Sequence, residues 1–130
     1  MKKILIVDNI ASRRNILAEV LGASKMYCIL EADNNLAGLT LTQSEKPDLI
    51  LLDAMLTNYP YDFELFRQFK SCVGTQCIPK VIMIMEPGQH HFTELENLCV
   101  DDYLIKPLHL RSLMEKVDRA LLNETQTTLN

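Results

Sequence analysis

The chain has 130 residues, of which 48% are hydrophobic, so it can form one globular domain with a buried core and is not expected to be disordered. Its net charge is −4 and its lysines and arginines are scattered, which predicts no direct binding of nucleic acid. No apolar run approaches the ~20 residues of a membrane span, so we expect a cytoplasmic protein that does not enter a membrane.

The cysteines do not follow a metal-binding pattern. They are Cys28, Cys72, Cys77 and Cys99. None of their spacings is the Cys-x-x-Cys of a zinc site, and disulfides are rare in the cytosol, so we expect reduced structural thiols. The pair His90-His91 does not share one helix face, which disfavours a metal site there.

Five short apolar runs alternate with helical patterns along the chain. The runs cover residues 3–7, 27–32, 48–53, 80–85 and 102–105. They are rich in isoleucine, leucine and valine, and several are nearly continuous, which is typical of strands that are covered on both faces. We therefore predict five strands of a parallel sheet.

Amphipathic segments between these runs predict five helices. The first is expected to be capped by Ser12 and to end at Gly22, and the second to be capped by Asp33 or Asn34. The inward residues of these two helices are expected to be Ile16, Leu17, Val20 and Leu21, then Leu36 and Leu39. The other three helices are indicated by Leu65, Phe69 and Cys72, by Phe92, Leu95 and Cys99, and by Leu110, Leu113, Met114, Val117 and Leu121.

The alternation of strands and helices predicts an α/β fold, a five-stranded parallel sheet with helices on both faces. We assign residues 1–122 to this domain and residues 123–130 to a polar tail or linker. Ligand sites of such sheets lie in the crevice at the carboxyl ends of the strands. The functional residues are therefore sought at these ends.

Charged side chains collect at the predicted strand ends. The segment "PDLILLDAML" runs from four apolar residues straight into Asp53, and a charge beside an apolar core is costly unless it is paired. Asp8 and Asn9 follow the first strand, and Lys106 follows the fifth. Two acids and a lysine are thus predicted to meet in one crevice.

Three segments together resemble the receiver domain of bacterial two-component response regulators. They are "KKILIVDN", "PDLILLDAML" and "DDYLIKP", and the resemblance covers about residues 2–122. It implies the (βα)5 flavodoxin-like receiver fold with the strand order 2-1-3-4-5. It also implies phosphorelay signalling without an enzyme activity beyond self-catalysed phosphotransfer and dephosphorylation.

The resemblance assigns roles to individual residues. Asp53 would be the phosphoacceptor, which receives a phosphoryl group from a histidine kinase or phosphotransfer protein and forms an aspartyl phosphate. Mg²⁺ would be bound by Asp8, Asn9, Asp53 and the backbone carbonyl of Met55. Lys106 would pair with a phosphate oxygen. In the family this lysine is commonly joined by a cis peptide bond to a following proline, which here is Pro107.

Several positions depart from the family pattern. Asn9 replaces an acid, and a neutral amide is expected to weaken Mg²⁺ binding. Met85 stands where a serine or threonine would bond the phosphoryl group, and Glu86 would repel that group. Tyr103 matches an aromatic switch position, although a buried tyrosine without a switching role fits equally well. The loop after Asp53 lacks the family's Pro-Gly and Asp-Gly pattern and is expected to be longer.

These departures leave two interpretations open. The chain is either a working but atypical receiver that modulates an output domain or partner, or a degenerate receiver that acts as a phosphorylation-independent dimerisation or interaction module beside an output domain such as a diguanylate cyclase. In both, a homodimer through the face of the fourth helix, fifth strand and fifth helix is expected. Its residues would include Asp101, Asp102, Arg111, Glu115, Asp118 and Arg119.

Three other classes are disfavoured by missing residues. A haloacid-dehalogenase-type phosphatase needs a second aspartate two positions after the nucleophile, where this chain has Met55. A flavodoxin-like flavin binder needs a phosphate loop rich in glycine and hydroxyl groups, and "DNIASRR" contains one serine and no glycine. The Gly-x-x-x-x-Gly-Lys motif of P-loop NTPases is missing.

Overall fold

The computed structural model describes residues 1–53, 79–86 and 101–129, with side chains through residue 122. Its elements are β1 (Lys2–Val7), α1 (Ala11–Gly22), β2 (Tyr27–Ala32), α2 (Asn35–Glu45), β3 (Leu49–Asp53), β4 (Lys80–Met85), β5 (Asp102–Ile105) and α3 (Leu110–Leu129). Helix α3 is the last of the five predicted helices. Several predicted features lie outside the described residues. They are the third and fourth helices, Met55 with its loop, His90-His91 and three of the cysteines.

The five strands form one parallel sheet in the order β2-β1-β3-β4-β5, which confirms the predicted fold class. Every residue of the central strand β3 is buried, because helices cover both faces of the sheet. Burying one leucine or isoleucine side chain stabilises the fold by about 1.5–3 kcal/mol. The nearly continuous apolar sequence of β3 therefore reflects a strand with no solvent-facing side.

Two hydrophobic clusters fill the space between the sheet and its helices. On one face, α1 and α3 pack against the sheet through Leu17, Leu21, Leu113, Val117 and Leu121. On the other face, α2 packs against it through Ala37, Leu39 and Leu41. Helices thus lie on both faces, as predicted.

Three predictions about the first two helices are wrong. Ser12 does not cap α1, which begins at Ala11 with Ile10 in the cap position and no side-chain cap bond. The side chains of Ile16 and Leu36 are 55% and 75% exposed. Each lies one position before the residue that turns inward, Leu17 or Ala37, and one residue rotates a helix by about 100°.

The other helix ends follow their sequence signals more closely. The Asn34 side chain accepts a hydrogen bond from the Ala37 N–H at 2.8 Å and caps α2, and α1 ends at Gly22 as predicted. Helix α3 continues through Leu129, past the domain end predicted at residue 122. Its last turns contain no glycine or proline, so the sequence offers no stop signal.

The parallel register brings the carboxyl ends of four strands to one edge of the sheet. Val7 is the partner of Leu52, so Asp8 and Asp53 follow directly at the ends of the neighbouring strands β1 and β3. Met85 is the partner of Ile105, which places Lys106 beside the end of β4. In the described ranges, no helix has the length and hydrophobicity that crossing a bilayer demands.

Candidate functional site

Two buried carboxylates lie at the ends of β1 and β3. Asp8 and Asp53 are each only 1% exposed. Removing an ionised carboxylate from water costs several kcal/mol unless cations and hydrogen-bond donors compensate it. The partners of these two carboxylates therefore determine what the site can do.

The guanidinium of Arg13 joins the two carboxylates. Its Nε donates to Asp8 Oδ2 at 2.5 Å, and its Nη2 donates to Asp8 Oδ1 at 3.0 Å and to Asp53 Oδ2 at 2.8 Å. The contact with Asp8 is bidentate, the geometry in which arginine binds carboxylates most strongly. The hydrogen bond from Arg13 to Asp8 is the main reason that the Arg13 pKa is raised, and the charges of Asp53 and Asp8 add to this effect.

Lys106 binds the same oxygen of Asp53 as Arg13 does. Its Nζ donates to Asp53 Oδ2 at 2.8 Å and to Glu86 Oε1 at 3.0 Å. The Lys106 side chain is 12% exposed and the Glu86 side chain is 45% exposed, so Glu86 lies at the rim. The peptide bond from Lys106 to Pro107 is cis, as expected. The charged groups thus form a chain, Glu86–Lys106–Asp53–Arg13–Asp8.

Local backbone contacts fix the position of Asp8. Its N–H donates to the Ala32 carbonyl at 3.0 Å, and its Oδ1 accepts from the Ile10 N–H at 2.9 Å. The second bond is an Asx turn, which leads the chain from β1 into α1. Arg14 donates to the Asp8 carbonyl at 2.7 Å and pairs with Glu31, so it supports the loop while Arg13 enters the pocket.

Arg13 is the residue of this site that the sequence analysis missed. It lies in the first turn of α1, where the helix dipole disfavours a positive charge and where the helix has no acidic residue. An arginine on a short amphipathic helix is usually solvated, so its spacing carries no signal. The clue in the sequence was the pair Arg13-Arg14 shortly after Asp8 and Asn9, because Asn9 stands where the resemblance expects an acid.

The other predicted positions occupy different surroundings. Asn9 is exposed at the rim. Met85 is fully buried in the α2-side cluster, and its carbonyl accepts from the Lys106 N–H at 2.8 Å. Tyr103 packs partly buried against the same cluster, and Lys116 Nζ lies 5.3 Å from its ring centroid. Asp53, Asp8 and Lys106 are therefore brought together as predicted, whereas Asn9 lies at the edge.

This set of groups at the carboxyl edge of a 2-1-3-4-5 sheet agrees with the family model. The response regulator receiver domain model matches residues 4–118. The chain belongs to the response regulator receiver domain family. Receiver domains act in two-component signal transduction, and this role now applies to the chain at the level of the family.

Known proteins of similar sequence and structure agree with this assignment. The phosphate regulon transcriptional regulatory protein PhoB of Pseudomonas aeruginosa is 37% identical over 126 residues, which are 95% of this chain and 53% of PhoB. The chain therefore spans about half the length of this relative. A CheY-like receiver domain protein from Methanospirillum hungatei is 26% identical, with a TM-score of 0.76 and 98% of both chains covered. A receiver-modulated diguanylate cyclase from Pelobacter carbinolicus is 23% identical, with a TM-score of 0.74 and 100% of both chains covered.

The pocket of this receiver domain, as arranged, does not fit a divalent metal. Receiver domains typically bind Mg²⁺ at the acidic pocket, and Mg²⁺ takes carboxylate oxygens as ligands. Here three such oxygens, both of Asp8 and Oδ2 of Asp53, bind Arg13. Within the described residues, no group of three or more aspartate, glutamate, histidine or cysteine side chains is placed to hold a metal.

We predict that Lys106→Met lowers the free energy of unfolding by about 3 kcal/mol, because it leaves the buried Asp53 carboxylate with fewer cations. The matched control is Lys3→Met, since Lys3 pairs with Glu45 at 3.1 Å but both side chains are more than a third exposed. This control should cost less than about 1 kcal/mol. Urea unfolding measures both. Equal losses would mean that the pocket pair is no more important than a surface pair.

Proposed function

We propose that Asp53 accepts a phosphoryl group from a histidine kinase or a phosphotransfer protein. The observation that carries this proposal is the pairing of a buried strand-end carboxylate with two cations, Lys106 and Arg13, on the same oxygen. Such a carboxylate is held in one position and faces positive charge. Phosphoryl transfer depends mainly on positioning and on charge neutralisation, which these contacts supply.

The proposed reaction moves one phosphoryl group. A carboxylate oxygen of Asp53 attacks the phosphorus, the bond from phosphorus to the donor nitrogen of histidine breaks, and that nitrogen keeps the electron pair. The product is an aspartyl phosphate on Asp53 and a free histidine on the donor. Lys106 Nζ, 2.8 Å from Asp53 Oδ2, would pair with a phosphate oxygen. Glu86 shares the same ammonium at 3.0 Å and would compete with the phosphate.

The chain would pass its signal to an output domain or a partner protein. It covers only 53% of PhoB, which is described as a transcriptional regulator, and one structural neighbour is described as a diguanylate cyclase. Both similarities support the proposal that the chain acts on an output domain, and we propose a diguanylate cyclase as the class of that domain. We further propose a cytoplasmic location and self-catalysed dephosphorylation, with no other enzyme activity.

The assignment of Asp53 predicts a specific loss of labelling. Incubation with radiolabelled acetyl phosphate should give an acid-labile label, and Asp53→Asn should abolish it because the nucleophilic oxygen pair is lost. The matched control is Asp33→Asn, which removes an exposed aspartate after β2 at the same edge of the sheet. This control should label like the unmutated chain. Undiminished label in Asp53→Asn would contradict the assignment.

A second function is supported by the surroundings of Met85, namely a receiver that works as an interaction module independently of phosphorylation. Met85 is fully buried and has no hydroxyl that a phosphoryl group could attract. A ligand shifts a two-state equilibrium only through contacts that differ between the states. The hydroxyl is missing and Glu86 already bonds Lys106, so a phosphoryl group on Asp53 would form few new contacts that could favour a second conformation.

The surface proposed for this module is the homodimer face formed by the fourth predicted helix, β5 and α3. Arg111, Glu115 and Arg119 are exposed on α3 and provide both signs of charge. All three aspartates expected on this face already form hydrogen bonds within the chain. They are Asp101 with the Val81 N–H, Asp102 with Lys116, and Asp118 with the Tyr27 hydroxyl.

The two functions differ in the response of a dimer to phosphorylation. In the unmutated chain we expect a beryllofluoride mimic with Mg²⁺ to shift the dimer equilibrium by less than roughly 1 kcal/mol, below the ~1–3 kcal/mol of allosteric coupling. The Asn9→Asp, Met85→Thr double variant should respond more strongly, because it regains the carboxylate and the hydroxyl. Sedimentation velocity measures both. A large Mg²⁺-dependent shift in the unmutated chain would contradict the module and favour a working switch.

A further inference from the structure

The side chain of Arg13 has two alternatives, the solvent and the pocket. Its neighbour Arg14 is 16% exposed but makes its bonds outside the acidic pocket, to the Asp8 backbone carbonyl at 2.7 Å and to the side chain of Glu31. Arg13 instead places three charge-assisted hydrogen bonds on carboxylates that are 1–2% exposed. Only 28% of the Arg13 side chain remains exposed. The guanidinium is therefore a structural part of the acidic pocket.

The charges of the pocket are balanced without a metal. The buried carboxylates of Asp8 and Asp53 contribute two negative charges, and Arg13 and Lys106 contribute two positive charges; Glu86, which also bonds Lys106, lies at the rim with 45% of its side chain exposed, where solvent screens its charge. The resemblance implies that ordinary receiver domains have a further acid at the position of Asn9. Their three acids and one lysine leave two negative charges uncompensated, and a divalent ion balances them. Here one acid is lost and one cation is gained. The loss of a negative charge at Asn9 and the gain of a positive charge at Arg13 together supply the two charges that a divalent ion would otherwise provide.

We infer that Arg13 is the resident cation of this receiver domain and that it occupies, from within the chain, the position in which other receiver domains hold a divalent ion. Mg²⁺ would add two positive charges to a pocket whose buried charges are already balanced, and Arg13 would first have to release the three carboxylate oxygens that it binds. This displacement makes Mg²⁺ binding weak. The inference concerns the cation alone and does not depend on whether Asp53 is phosphorylated.

The direct test is Mg²⁺ affinity, measured by isothermal titration calorimetry on the unmutated chain and on Arg13→Ala. Removing the guanidinium frees the carboxylate oxygens and removes one positive charge, so the affinity should rise roughly 10- to 100-fold. The matched control is Arg119→Ala, which removes the same charge from an exposed arginine of α3 and leaves the bonds of Arg13 and Arg14 in place. The control should change the affinity less than about threefold, since exposed charges are screened.

A double variant tests the compensation between the two departures. Asn9→Asp combined with Arg13→Ala restores three acids and one lysine and should bind Mg²⁺ more tightly than Arg13→Ala alone. The inference is overturned if the unmutated chain binds Mg²⁺ as tightly as Arg13→Ala. It is also overturned if the double variant binds no more tightly than Arg13→Ala.

If Arg13→Ala is too unstable for calorimetry, its melting temperature with and without Mg²⁺ provides a second test. Without Arg13, two buried carboxylates share one lysine, so the variant should melt at a lower temperature than the unmutated chain. Added Mg²⁺ should restore much of the lost melting temperature in the variant but change the unmutated chain little. Equal Mg²⁺ effects on the two proteins would contradict the inference. Because neither readout uses phosphate, failure here is distinguishable from failure of the Asp53 assignment.

Discussion

The bonds of Arg13 Nη2 to Asp8 and to Asp53 connect the two strands on which the pocket is built. Strands β1 and β3 are neighbours in a parallel sheet, so the acids at their ends are forced together and are buried. Two like charges in such a place destabilise the fold unless cations lie between them. The start of α1, which supplies Arg13, and the end of β5, which supplies Lys106, are therefore part of one electrostatic arrangement.

This arrangement links stability to signalling. A pocket whose buried charges are balanced and hydrogen-bonded has little need of a metal, and the proposed acceptor Asp53 is already paired with both cations. A phosphoryl group would have to take Lys106 from Glu86 and share Asp53 with Arg13. With Met85 in place of a hydroxyl, the same features that stabilise the pocket reduce the change that phosphorylation can cause. On the proposed function, the chain would keep a phosphoacceptor whose phosphorylation causes only a small response.

The sequence predicted the fold and the strand-end residues well because both depend on short-range patterns. The apolar runs 27–32, 80–85 and 102–105 match the observed strands residue for residue, and the Asn34 cap follows from a local preference. Arg13 was not predicted, because its role depends on two carboxylates together: Asp8 lies five residues before it, but Asp53 lies forty residues after it and is brought beside Asp8 only by the register of the sheet. The exposure of Ile16 was missed for a related reason, since helix periodicity fixes the inward stripe only to within one residue.

The claim that the guanidinium replaces the ion can be tested most directly by crystallography of the unmutated chain grown in millimolar Mn²⁺. Manganese binds to the same oxygen ligands as magnesium and gives an anomalous signal. The account predicts no anomalous peak between Asp8 and Asp53, with Arg13 bonded to both carboxylates. A strong peak coordinated by these carboxylates, with the Arg13 side chain displaced into solvent, would contradict it.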